Sequence, residues 1–353
     1  MQFTVADDSE NRIPYTENRI PTMRFLKYTV LALVILFWAG GLSSTVGHWL
    51  YDLGLVMDDY RYGDLYRVSA LPHFKTPTTP CPSANLASDT ATTDLYLIGD
   101  SFSEAERVSR SDFPVDHYQR IKWEFPQQAK LNPAHRNVLL IETVERHLRD
   151  HFNQPIRELS VVQDTGRTAI IPWYKRTYQD LHRADVEERL ESLLFSQDWA
   201  FWFKELKARV TLNWFDRIST GASLSLDKQH IFLNTDTDTT KRQSSFSSLT
   251  DGQVNALVDS INATADRFKR QGFDDVYLAV VPNKVTIVEP NRAVYNHLIE
   301  RVQRHPGLRV PTVDVYSQYT RASQPVYQPG DTHWTCYGRE LWLSEVRRVL
   351  RLP

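Results

Sequence analysis

Two short stretches of this chain carry the residue types that acyl transfer needs. In LYLIGDSFSEAERVS, residues 95–109, an alternating apolar run breaks at Gly99, Asp100 and Ser101, and in QPGDTHWTCYG, residues 328–338, Asp331 and His333 stand two apart. A serine hydroxyl attacks a carbonyl carbon when an imidazole takes its proton and a carboxylate holds that imidazole in one tautomer. Ser101 is the candidate nucleophile, His333 the base and Asp331 the acid that orients it; the last two point the same way if their segment is extended. A serine just past a strand, at the carboxyl edge of an open parallel sheet, sits where α/β folds place ligands. The backbone N–H groups that follow it, that of Phe102 among them, can face a developing oxyanion. Gly99 fits the same picture, because a side chain there would crowd a tight turn. Read without chemistry, both stretches are helix caps, with Glu104 and Glu106 in the first turn after Ser101.

The elements that must position these residues follow from hydrophobic period. DLYLIGD from Asp94, HYQRIKWEF from His117 and NVLLIET from Asn137 read as strands, the third running into a helical VERHLRDHF. Later, GQVNALVDSINATADRFKRQG is an amphipathic helix closed by Gly272, DVYLAVVP a buried strand, NRAVYNHLIERVQRHPG a helix, LRVPTVDVY a strand and YGRELWLSEVRRVLRL a final helix. Repeated strand and helix units predict an α/β fold, a three-layer parallel sheet with helices on both faces. The rhythm breaks over about 155–250, which reads as an insertion: a helix that includes Trp199 and Trp202 at a core-stripe spacing, with stacking of Trp199, Trp202 and Trp214 on sugar rings as the alternative, then a Thr- and Ser-rich stretch open to partial disorder. The two serine-triad stretches bracket the whole sheet.

Composition narrows the function classes. The chain has 353 residues, with 41 Lys and Arg against 43 Asp and Glu, a net charge of -2, so no broad basic field is available to hold nucleic acid. No HExxH, EF-hand loop, P-loop or GxGxxG occurs, and neither a metal nor a nucleotide cofactor is expected. Cys81 and Cys336 are the only cysteines, enough for one bridge, which spacing alone leaves open.

The front end reads as a membrane segment. Arg24 and Lys27 precede an uncharged stretch over 28–47, about long enough to span a bilayer as a helix, with a cleaved signal peptide as the alternative and Met23 as an alternative start. The expected organisation is a cytoplasmic leader (1–27), one N-terminal transmembrane signal anchor (28–50), a membrane-proximal segment and linker (51–93) and a catalytic domain (94–353) lying in the periplasm or outside the cell.

LIGDSFS and DTHWT, with VPNK at 281–284 and LLIETVERHL at 139–148, resemble the alginate O-acetyltransferase-like branch of the SGNH hydrolase superfamily, whose sheet is flavodoxin-like. The chain has Asp-x-His where ordinary SGNH esterases have Asp-x-x-His, and it lacks their GxND; both features point to the acetyltransferase branch. The serine stretch comes first here, the reverse of the alginate proteins, which implies a circularly permuted relative or a sister family. The resemblance implies acetyl transfer from Ser101 to a polysaccharide hydroxyl, with a membrane-bound O-acyltransferase partner supplying acetyl groups. Arg146, one turn after Glu142, is then the candidate side-chain oxyanion donor, with an Arg146–Glu142 surface pair as the alternative. Lys284 is a candidate for binding the donor or a charged sugar, with a solvated loop lysine as the alternative, and Trp334 for packing under His333 or flooring an acceptor groove. A carbohydrate acetylesterase with the same triad and a catalytically silent polysaccharide-binding subunit are the competing functions.

Overall fold

In the computed structural model, the described residues are 20–42, 61–123, 127–157, 159–161 and 198–352, with positions 46, 49, 50 and 53. Chain contacts divide the protein into two units, Met1–Asp58 with Ile170–Phe201, and Asp59–Ala169 with Trp202–Pro353. In the first unit a helix covers Ile20–Leu42, and Leu50 is buried against Leu36 and Val46.

The second unit is built on a five-stranded sheet: β1 (Thr93–Gly99), β2 (His117–Lys122), β3 (Arg136–Val144), β4 (Asp275–Val281) and β5 (Thr312–Val313). All neighbours pair in parallel and the spatial order is 2-1-3-4-5. That order is the flavodoxin-type doubly wound one. Strict alternation in the strands divides the core in two. Tyr96, Ile98, Leu139, Ile141, Val276 and Leu278 face one layer of helices, α1 (Glu145–His151), α2 (Asp251–Arg270) and α3 (Leu298–Gln303). Leu95, Leu97, Val138, Leu140, Tyr277 and Ala279 face the other, α4 (Val315–Thr320) and α5 (Cys336–Leu350). A central parallel sheet flanked by helices on both faces is a generic α/β-hydrolase-like arrangement.

Local chemistry sets the helix ends. α2 starts at a capping box, with Thr250 accepting from Gln253 N–H and the Gln253 side chain from Thr250 N–H, and it closes at Gly272 with φ +111°. α5 starts at Thr335, whose hydroxyl accepts from Gly338 N–H at 3.1 Å. Cys81 and Cys336 are joined as a disulfide, with Cα atoms 5.3 Å apart across 255 residues of sequence. That answers the pairing question left open by spacing, and it ties the segment ahead of β1 to the first turn of α5.

Several expectations need correction. Among the described residues no helix is long and apolar enough to cross a membrane. The helix at the front takes in Arg24 and Lys27, and its uncharged part among the described residues, 28–42, rises only about 22 Å at 1.5 Å per residue. The hydrocarbon core is about 30 Å thick. The expected transmembrane anchor is therefore corrected, and with it the membrane-anchored topology and the single-pass localisation; the described residues lend no support to a membrane-bound O-acyltransferase partner or a polysaccharide partner either. The last expected strand shrinks to Thr312–Val313, because Asp314 caps α4 by accepting from Ser317 N–H at 3.0 Å. Trp202, on a helix over Asp198–Phe215, is 56 % exposed, so the expected Trp199–Trp202 core stripe is not formed; Trp214, on the same helix, is 77 % exposed. The Thr- and Ser-rich stretch is ordered, as an antiparallel pair (Ala222–Leu224 with Ile231–Leu233) followed by a short helix, Asn234–Thr237.

Candidate active site

β1 delivers the chain to the carboxyl edge of the sheet beside the switch point, where the connection passes from β2 across β1 to β3. Gly99 ends the strand, and a Cβ there would stand 1.9 Å from Ser103 Oγ and 2.8 Å from Glu142 Oε2. Only glycine fits without moving the turn. Ser101–Ser103 forms a single 3-10 turn, not the longer helix expected after the serine. Its first internal bond runs from Ser103 N–H to Asp100 O at 3.2 Å, so the N–H groups of Ser101 and Phe102 stand ahead of the turn's own bonding.

Glu142, at the end of β3, holds this turn from within the core. Its Oε2 accepts from Asp100 N–H at 2.8 Å and from Ser103 Oγ at 2.9 Å. Complete burial, together with the nearby Asp100 carboxylate, pushes the Glu142 carboxyl up to about 8. Phe102 is buried, its ring 4.8 Å from the His333 ring and edge-on to Trp334 at 5.0 Å.

The second stretch folds as a tight hairpin. Gln328 N–H donates to His333 O at 3.2 Å, Thr335 N–H donates to Val326 O at 2.8 Å, and Tyr327 bridges Trp334. Asp331 Oδ1 accepts from the His333 backbone N–H at 2.7 Å and lies 2.5 Å from His333 Nδ1. His333 Nε2 lies 2.9 Å from Ser101 Oγ. Burial alone would raise the Asp331 carboxyl, but the hydrogen bond and charge of His333, with Arg107 nearby, hold it well below the usual carboxylate range. It is therefore ionised at neutral pH and can orient the ring.

The other candidates lie around this line. Lys284, in a short helix over Lys284–Val288, is buried with Nζ donating to Pro329 O at 2.8 Å and Asp331 O at 3.1 Å. It braces the hairpin. Burial pulls its ammonium down to about 7 against the opposing pull of Asp64, Asp331 and Asp236. Arg146 and Glu142 are both buried and do not pair with each other; the Arg146 guanidinium pairs with buried Asp236 at 3.3 Å. Trp334 is buried in the core, 5.4 Å from Trp342.

Two residues that the sequence did not single out complete the surroundings. Asp64, in a short helix over Asp64–Ser69, accepts from Thr332 N–H at 2.7 Å through Oδ1 and from the Thr332 hydroxyl at 2.5 Å through Oδ2. Its own N–H donates to Asp331 Oδ2 at 3.3 Å. The preceding Gly63, with φ +90°, lets the two backbones meet: a Cβ there would be 2.7 Å from Gly330 O. Arg107 donates through Nη1 to Ser101 O at 3.1 Å, and its Nη2 lies 3.4 Å from His333 Nδ1. A separation of 267 residues hides the Asp64 contact from any local pattern. Arg107 lies six residues past Ser101, and only the 3-10 turn brings it back.

Taken together, a hydroxyl, an imidazole and an ionised carboxylate lie in line at the carboxyl edge of the sheet. The N–H groups of Ser101 and Phe102 lead the turn that carries the hydroxyl. Such an arrangement can remove the serine proton and return it to a leaving group. Comparison with known protein families, with characterised proteins and with solved structures finds no match to this chain.

Proposed function

We propose that the protein is a serine acyl-transfer enzyme of the SGNH-like O-acetyltransferase type. One observation carries this: the continuous path from Asp331 Oδ1 through the His333 ring to Ser101 Oγ, with steps of 2.5 and 2.9 Å. In the first half-reaction His333 Nε2 takes the Ser101 proton as Oγ attacks the acetyl carbonyl of an ester donor. The bond to the leaving alkoxide breaks, and that alkoxide receives the proton from His333. In the second, an acceptor hydroxyl gives its proton to His333 and attacks the acetyl carbon; the bond from that carbon to Ser101 Oγ breaks, and Oγ takes the proton back from His333. The N–H groups of Ser101 and Phe102 are the candidate donors to both tetrahedral oxyanions. The acetyltransferase assignment draws its support from the Gly-Asp-Ser and Asp-x-His-Trp motifs.

The test follows both fates of the acyl group. The protein is mixed with a chromogenic acetyl ester and simple alcohols, and acetyl-enzyme, acetylated alcohol and free acetate are measured by mass spectrometry. Acetyl on Ser101 and on the alcohol, both absent in Ser101→Ala, is the expected result. Free acetate as the only Ser101-dependent product would make the enzyme an esterase, and turnover retained in Ser101→Ala would overturn the assignment.

A further inference from the structure

The residue before the proposed nucleophile is the centre of a second cluster that acyl transfer does not use. The Asp100 side chain is 9 % exposed. Its Oδ2 is committed to the protein, accepting from Val144 N–H at 2.8 Å and from the Thr143 hydroxyl at 3.2 Å. Its Oδ1 instead faces two imidazoles, with His147 Nδ1 at 3.2 Å and His151 Nε2 at 3.8 Å. All three ligand atoms lie within 4.8 Å of one another. The histidines stand four apart on α1, a spacing that puts both rings on one helix face.

The hydrogen-bond directions leave lone pairs facing each other. The Thr143 hydroxyl has one proton to give and an acceptor-only carboxylate to receive it. His151 Nδ1, 2.8 Å from Thr143 Oγ1, must then be the donor of that contact. That fixes the tautomer and leaves a bare lone pair on His151 Nε2, aimed toward Asp100 Oδ1. At 3.8 Å the two are too far apart for a hydrogen bond. The His151 ring is also locked by stacking on Trp123, 3.8 Å between centroids. His147 Nδ1 is a buried atom whose 3.2 Å contact with Asp100 Oδ1 falls outside hydrogen-bond geometry. Four-coordinate zinc, with bonds of about 2.0–2.2 Å, holds its ligand atoms about 3.4 Å apart. The two observed separations from Asp100 Oδ1 bracket that figure.

We propose that Asp100 Oδ1, His147 Nδ1 and His151 Nε2 form a binding site for a divalent d-block ion of the zinc class. Thr143 and Val144 act as its outer shell, orienting His151 and Asp100 as supporting partners do in known metal sites. Two imidazoles and one carboxylate suit zinc better than calcium or magnesium, which take oxygen ligands. The ion would cross-link α1 to the Gly-Asp-Ser turn across the crevice between β1 and β3, one residue from Ser101. A fourth position is left for water.

Zinc binding is measured on the full oxidised chain by competition with a chromophoric chelator, and cobalt substitution reports coordination through its visible spectrum. The expected result is one equivalent captured at micromolar concentration, with a four-coordinate cobalt spectrum. His147→Ala, at a ring that is 41 % exposed and so tolerant of change, weakens capture at least about tenfold. His135→Ala, in the separate cluster with Asp94 and Asp116, and His333→Ala leave it unchanged. No capture by the wild type, capture undiminished in His147→Ala, or capture lost in His135→Ala or His333→Ala would each overturn the site.

Discussion

Ser101 Oγ and His333 Nε2 lie 2.9 Å apart although 232 residues separate them in the chain. The contact is made by two turns at the same edge of one sheet, each held by its own buried brace: Glu142 under the serine turn and Lys284 under the histidine hairpin. Neither brace touches the other turn, so each half of the site can be perturbed separately.

Asp331→Asn keeps the shape of the orienting residue while removing its charge. Turnover of the acetyl ester is expected to fall by about four orders of magnitude with folding unchanged, as loss of the carboxylate leaves the wrong imidazole tautomer. Steady-state kinetics alongside thermal unfolding checks this; a variant within tenfold of wild type would mean that another group orients His333.

Asp64 acts on the hairpin through Thr332 and Asp331. Asp64→Ala leaves the Thr332 N–H and hydroxyl without their charged acceptor, a loss of about 1.5–3 kcal/mol per such bond. If about one such increment is felt in the transition state, turnover drops roughly ten- to hundredfold. The drop should be in kcat rather than KM, and Asp64→Asn should recover part of it, because its amide oxygen still accepts. An unchanged kcat in Asp64→Ala would leave the residue a purely structural anchor.

Lys284 gives the stability a defined pH slope. Its folded-state value of about 7 lies below the ordinary 10.5. The unfolded chain therefore binds more protons between those values, and stability rises with pH across that window. The contribution is fully present above the unfolded value and is lost as pH falls through about 7. Lys284→Met should be less stable overall and should lack that slope. Urea unfolding from pH 6.5 to 10, a window on the order of the shift itself, compares the two; parallel curves would show that the lysine stays charged.

Gly99→Ala tests the close approach at the end of β1. The added carbon meets Ser103 Oγ and Glu142 Oε2, so the turn must shift, at a cost of about 1–3 kcal/mol. Activity should fall further than stability accounts for, since the displaced turn carries Ser101. Wild-type turnover at the temperature where the variant is fully folded would show that the turn accommodates the carbon.

How much of this was legible in the sequence differs from element to element. Strands with both faces buried, such as β1 and β4, announce themselves as apolar runs, and the serine and histidine stretches are recognisable by residue type and position. β5 was over-read because two paired residues and a capping Asp314 look the same in sequence as a longer strand. Trp202 suited a core stripe by spacing, but period shows only that residues share a face, not whether anything covers it. The pairing of Arg146 with Asp236 has no sequence signal, because Asp236 sits in a polar stretch 90 residues on, where no pattern betrays a buried carboxylate. The helix over Ile20–Leu42 carries its two basic residues inside rather than ahead of it, a boundary that composition does not define.

The Cys81–Cys336 bridge means that the site can outlast a break in its own chain. Cleavage of a single peptide bond within 82–92 would separate Asp64 from β1 in the backbone, yet the piece bearing Asp64 would stay fastened to the helix that follows His333. Such a nicked protein should run as one band on a denaturing gel without reductant and as two with it, and should keep its activity until thiol is added.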